Sequence, residues 1–132
     1  MALERVNPPS LPRPSGFSHA VVTTGGTLVF LAGQTALGPD GRIVGGTVAA
    51  QFARALANLI EALRAAGGSP ADLASLTVYV VGLGEYRDQG REIGAAWREL
   101  VGRDYPAMAA VGVSRLWDPE ALVEIQGYAV IP

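Results

Sequence analysis

The chain has no cysteine, no lysine and a single histidine, His19. Without cysteine there can be no disulfide, thiolate metal site or thiol nucleophile, and one imidazole is too few for a multi-histidine metal centre. All ten basic residues are arginines spread along the chain, and twelve acids outnumber them, so the formal net charge is -2. A nucleic-acid binder gathers cations to neutralise phosphates, which this composition does not offer. Long apolar runs are missing too. Nothing approaches the roughly 18 unbroken apolar residues of a spanning helix, and Met1 to Pro14 lacks the charged-then-apolar order of a secretory leader. Together these absences predict a cytoplasmic protein with no membrane or nucleic-acid partner and no bound metal.

What remains is rich in apolar side chains. At 132 residues, 49% hydrophobic and 17% charged, the chain is long enough for one core and too short for two, which predicts a single domain over residues 1-132. The apolar surplus also predicts that some surface ends up against a partner.

Residues 1-16 are proline-rich and read as an extended arm, with one short strand near Glu4 to Val6. Ser18 to Thr23 alternates, and Leu28 to Gly33 is an apolar run of strand length; the Gly25-Gly26 pair between them predicts a hairpin. Thr47 is placed to cap a helix with Val48, Phe52, Leu56, Leu59 and Leu63 on one face, ended by Gly67-Gly68. Ser69-Pro70-Ala71-Asp72 predicts a capped helical turn, and Ser75 to Val81 a strand apolar on both faces. A second helix is expected over Glu85 to Val101, weakened by Gly90 and Gly94. Pro106 to Val113 and Ala121 to Ile131 complete the set as strands.

This order predicts an α+β fold, a mixed sheet with two helices packed on one face. In the last strand Val123, Ile125, Gly127, Ala129 and Ile131 make one side apolar and small, while Glu124, Gln126 and Tyr128 project from the other. That second set, with one side of Val78 to Val80 and of Leu28 to Phe30, has no segment left to cover it. A closed ring of identical subunits would bury it.

Glu124 is the sharpest site candidate, because an acid in an otherwise apolar strand must be hydrogen-bonded, paired or used. The plainer reading is a solvated edge residue or a partner for an arginine across an interface. His19, with no acid or nucleophile beside it, reads as structural, and Ser114 lacks the G-x-S-x-G elbow and base of a nucleophile. Trp97 on a helical face reads as core, and Trp117 in a loop as surface or interface.

Three separated stretches, Ser15-Gly16-Phe17-Ser18-His19-Ala20-Val21, Leu31-Ala32-Gly33-Gln34 and Ala121-Leu122-Val123-Glu124-Ile125-Gln126, resemble the RidA (YjgF) family, and the likeness runs over about residues 3-131. The resemblance implies a chorismate-mutase-like fold and a homotrimer, trimerising through the open face of the sheet, with ligand sites in the clefts between subunits. It also implies hydrolysis of enamines and imines to a carbonyl and ammonia, with no cofactor. In that chemistry an arginine grips the substrate carboxylate, backbone amides near Ala32, Gly33 and Gln34 assist, and Glu124 positions the attacking water.

The chain departs from the pattern at several of these places. Met108 follows Pro106-Ala107 where the resemblance leads one to expect the arginine, Phe17 stands for a tyrosine, Ala32 for a serine and Gly90 for an asparagine. A methionine supplies neither the charge nor the donors of a guanidinium, so 2-imino acids are expected to bind poorly. Met108 and Phe17 make the cleft apolar and adaptable, and Arg115 is the candidate for a cation from another direction. The expected function is a homotrimer that takes a small carbonyl-, imine- or enamine-type molecule and hydrolyses it with Glu124 directing water. The alternative is a non-enzymatic small-molecule-binding or chaperone-like trimer. A ribonuclease role ranks last, for want of a basic groove.

Overall fold

The computed structural model describes residues 3-132, so the first two residues of the predicted arm, Met1 and Ala2, lie outside the described residues. The elements are β1 (Glu4–Val6), β2 (Ala20–Val22), β3 (Thr27–Gln34), α1 (Val48–Ala65), β4 (Leu73–Val80), α2 (Leu83–Asp88), α3 (Gly90–Leu100), β5 (Ala107–Gly112) and β6 (Val123–Ile131).

Helix α1 begins where its capping chemistry says it should. The Thr47 hydroxyl accepts the amide N–H of Ala50 at 3.1 Å, which satisfies one of the orphan donors of the first turn. Gly67 takes a left-handed φ of 93°, so the amide of Gly68 can reach back to the Leu63 carbonyl at 3.0 Å and close the helix. The turn at Pro70 is capped reciprocally, with the Ser69 amide donating to the Asp72 carboxylate at 2.8 Å.

The four-stranded sheet runs in the order β3-β6-β4-β5. Strand β6 is antiparallel to both neighbours and β4 is parallel to β5, so the sheet is mixed. The expected hairpin between the second and third strands does not form. β2 pairs with β1 of the arm, while β3 pairs with β6. Gly25 and Gly26 both have positive φ and turn the chain without bringing the two strands into register. The long run of β3 is stabilised instead by β6, which lets Leu31 bury beneath α1.

The second helix is also not continuous, for it breaks at Gln89 into α2 and α3. The break frees the Gln89 side chain, whose carbonyl accepts the Ala49 amide at 2.8 Å. A donor in the first turn of α1 is thereby satisfied from a neighbouring element.

Inward side chains of the sheet, among them Leu76, Val78, Val80, Val123 and Ile125, are buried against Phe52, Leu56, Leu59 and Leu63 of α1. Each such side chain contributes roughly 1.5–3 kcal/mol by leaving water. The outward face carries Leu28, Phe30, Tyr79, Glu124 and Tyr128, and nothing among the described residues covers it. Phe30 is 72% exposed, with its ring edge-on to Tyr128 at 5.4 Å. Trp97 is 4% exposed and Trp117 is 95% exposed, as their sequence settings predict.

Candidate functional site

The sequence candidates fall into two groups, on opposite faces of the sheet. The first group centres on Glu124. Between the pairs Leu31–Gly127 and Gln34–Ile125, two residues of β3, Ala32 and Gly33, stand opposite the single Gln126 of β6. This is a β-bulge, which leaves backbone groups out of the ladder and re-aims nearby side chains. The Glu124 carboxylate lies against Gly33, and a Cβ at position 33 would collide with it, so only glycine permits this approach. Glu124 is half-buried and makes no side-chain hydrogen bond or ion pair among the described residues.

Two side-chain amides of α1 hold this corner in place. Gln51, 2% exposed, donates from Nε2 to the carbonyls of Gly45 and Glu120 at 3.0 and 3.1 Å, and its Oε1 accepts the Leu122 amide at 2.7 Å. Asn58 donates to the carbonyls of Thr35 and Leu37 at 3.0 and 2.9 Å. One clamp therefore fixes the entry to β6 just before Glu124, and the other fixes the exit from β3 just after Gln34. Gln51 is absent from the sequence candidates because a polar residue on a helix reads as solvated. The available signal was its position one residue before Phe52, inside the apolar face.

The second group is Phe17 and Met108. Ser18 donates its amide to the Pro106 carbonyl at 3.0 Å and its hydroxyl to the Tyr105 carbonyl at 2.6 Å. These bonds lay residues 16-18 along the start of β5, and they set Phe17 beside Met108 in a small cleft of about 140 Å³. On the helix side Met108 also borders a cavity of about 320 Å³ walled by Phe52, Tyr86, Trp97 and Tyr105. Burial pushes the Tyr86 hydroxyl above its ordinary pKa of 10.0, so near neutral pH it is an uncharged donor. Within one chain Glu124 and Met108 do not meet. Met108 pairs with Leu76 on the buried side, while Glu124 pairs with Tyr79 and projects from the open side.

Other candidates stand apart from both groups. Arg115 lies beyond the far end of β5, exposed, and Gln34 borders a shallow cleft with Arg54 and Asn58. His19 is structural. Its Nε2 bonds the Pro12 carbonyl at 2.7 Å and its amide donates to Asn7 at 2.7 Å, which ties the arm to β2. The arginines are less evenly spread in space than in sequence, since Arg5, Arg13 and Arg103 share a cleft of about 360 Å³ beside Phe17.

The family model described as endoribonuclease L-PSP matches residues 10–131. The chain belongs to this family, the YjgF or Rid proteins. A RutC family protein of Pyrococcus abyssi is 33% identical over 131 residues, 98% of each chain. The Rid-family protein YyfB of Yersinia pestis is 38% identical, with 99% of this chain and 100% of that one covered at a TM-score of 0.88. A YjgF-family member from Mycobacterium tuberculosis is 30% identical, covering 98% and 100% at a TM-score of 0.65. The α+β architecture, a mixed sheet with its main helices on one face, is therefore that of the Rid proteins. No helix is long and apolar enough to cross a membrane among the described residues.

Proposed function

We propose that this Rid-family chain assembles as a homotrimer through the open face of its sheet and takes a small carbonyl-, imine- or enamine-type metabolite in the clefts between subunits. There Glu124 directs a water at the reacting carbon. The observation that carries this reading is the Glu124 carboxylate itself. It is half-buried over the Gly33 bulge, without a hydrogen bond or ion pair of its own, on a face whose apolar side chains await a cover. A partner subunit on that face supports both features at once. It removes Leu28, Phe30 and Tyr128 from water and brings a second chain's cleft toward the acid.

In the proposed step Glu124 accepts a proton from water as its oxygen bonds to the imine carbon, and the C=N double bond becomes single. Glu124 returns that proton to the nitrogen, giving a carbinolamine; its hydroxyl proton then passes to the nitrogen as the C–N bond breaks, and ammonia leaves a carbonyl behind. The bulge at Ala32 and Gly33 offers unladdered amides to the charge that develops. Met108 stands where the family pattern leads one to expect an arginine, so amino-acid-derived imines in the family's usual pose should be poor substrates. The ribonuclease sense of the family description finds no support in a chain with no lysine and a net charge of -2.

Ammonia release from 2-aminoacrylate-type imines tests the reading. Low turnover that Glu124→Gln abolishes and Met108→Arg raises is the expected result. Turnover untouched by Glu124→Gln would overturn it, and ligand-induced thermal stabilisation with no turnover at all would favour a binding protein instead.

A further inference from the structure

The cavity behind Met108 has one charged side chain in its wall, Arg98 of α3. Among the described residues Arg98 makes no ion pair. Its position depends on Gly94, one turn earlier. Gly94 sits in the interior of α3, where glycine is the poorest residue after proline. Its φ is not positive, and a Cβ there would meet one atom only, Nη1 of Arg98 at 3.3 Å. Neither backbone conformation nor close packing of apolar neighbours requires the glycine. Arg98 is exposed and lines the cavity, with its Nη1 standing 3.3 Å from where that Cβ would be.

The remaining wall is aromatic and apolar. Trp97 stacks on Tyr105 with ring centroids 5.9 Å apart, and Phe52 meets Tyr86 edge-on at 6.0 Å. The Trp97 Nε1–H is buried without an acceptor among the described residues. A space of about 320 Å³ is at the small end of ligand sites. It has a hydrophobic body and one unpaired cation at its edge, and no carboxylate lines it.

We propose that this cavity binds a small monocarboxylate with an aromatic or branched apolar body, and that Arg98 holds the carboxylate. The apolar body packs among Phe52, Tyr86, Trp97 and Met108, and the carboxylate meets the guanidinium over Gly94. This assignment deepens the reading of the cleft given above and rests on it for the cleft's use. Its test reads binding alone.

Isothermal titration with 3-phenylpropionate, its neutral counterpart 3-phenylpropan-1-ol, and acetate separates the contributions of charge and body. The intact protein should bind the phenyl acid at least tenfold more tightly than either the alcohol or acetate. Arg98→Gln should weaken the acid at least tenfold and leave the alcohol unchanged, the scale of one charge-assisted hydrogen bond. Gly94→Ala should raise the melting temperature, since alanine favours the helix, and yet weaken the acid by displacing the guanidinium. That pairing distinguishes a lost site from a lost fold. Equal binding of acid and alcohol, or an Arg98→Gln protein that binds the acid as the parent does, overturns the assignment. Acid binding that Arg98→Gln weakens leaves the assignment standing even if no imine is hydrolysed, and ammonia release by a protein that does not prefer the acid defeats the assignment alone.

Discussion

The two faces of the four-stranded sheet are built from the same strands and solve opposite problems. On the helix side, Leu76, Val78, Val80, Val123 and Ile125 are buried by α1 within the chain. On the open side, Leu28 and Phe30 of β3 and Tyr128 of β6 remain exposed, with the half-buried Glu124 among them. Period-two alternation ordinarily puts polar residues on the uncovered face of a sheet. In the proposed assembly another copy covers this apolar face and shields the unpaired acid on it. The contrast teaches that one face of the sheet is completed within the chain, while the other is left for the assembly proposed above.

That contrast can be sharpened by substitutions ranked by their effect on the folding free energy. Leu59→Ala on the helix side should cost most, roughly 2–5 kcal/mol for a buried leucine, measured by urea unfolding. Gln51→Ala should come next. It strands the carbonyls of Gly45 and Glu120 and the amide of Leu122, at about 1–3 kcal/mol for an unsatisfied buried group. Hydrogen exchange should quicken at Leu122 and Val123 before it quickens at the centre of α1. Thr47→Ala removes one cap bond and should cost about 1 kcal/mol.

Tyr86 supplies a smaller, pH-dependent effect. Its folded pKa is raised above 10.0 by burial, so above that pH the unfolded chain releases a proton the folded chain retains. Stability therefore falls as pH climbs past 10, and Tyr86→Phe should flatten the fall in alkaline melts. At the end of the scale, Phe30→Asp on the open face should leave the far-ultraviolet spectrum of the subunit unchanged and reduce the sedimenting mass to a single chain. If that protein still sediments with the parent's mass, the open face is not the assembly surface.

Much of the fold was legible because it is local. Thr47, the apolar stripe from Val48 to Leu63 and the Gly67-Gly68 stop define α1 through chemistry within one turn of each end. The capped turn at Ser69 to Asp72 was legible for the same reason. What was not legible is pairing between distant segments. The apolar run of β3 is equally suited to β2 nearby or to β6 nearly a hundred residues on, and only the packing of α1 over β3 and β6 selects the second. The break at Gln89 was hidden likewise, because its reward is a hydrogen bond to Ala49 in another element.

The site divides along the same line. Glu124 announced itself by being an acid in an apolar strand, and Met108 and Phe17 by their places in the family's motifs. Their separation onto opposite faces follows from strand register, in which Tyr79 opposes Glu124 and Leu76 opposes Met108. Arg98 and Gly94 carried only a faint signal, a glycine and a cation spaced by one helical turn.

Residue order alone determined α1, the main strands and the alternation that gives one sheet face to the core and leaves the other open, because period and capping act over a few neighbouring residues. Tertiary structure alone decided that a bulge in β3 seats the Glu124 carboxylate on Gly33, and that α1 clamps both flanking loops through Gln51 and Asn58. It likewise decided that an arginine of α3 reaches the cavity behind Met108, since each of these depends on backbone groups that meet only when remote segments pack.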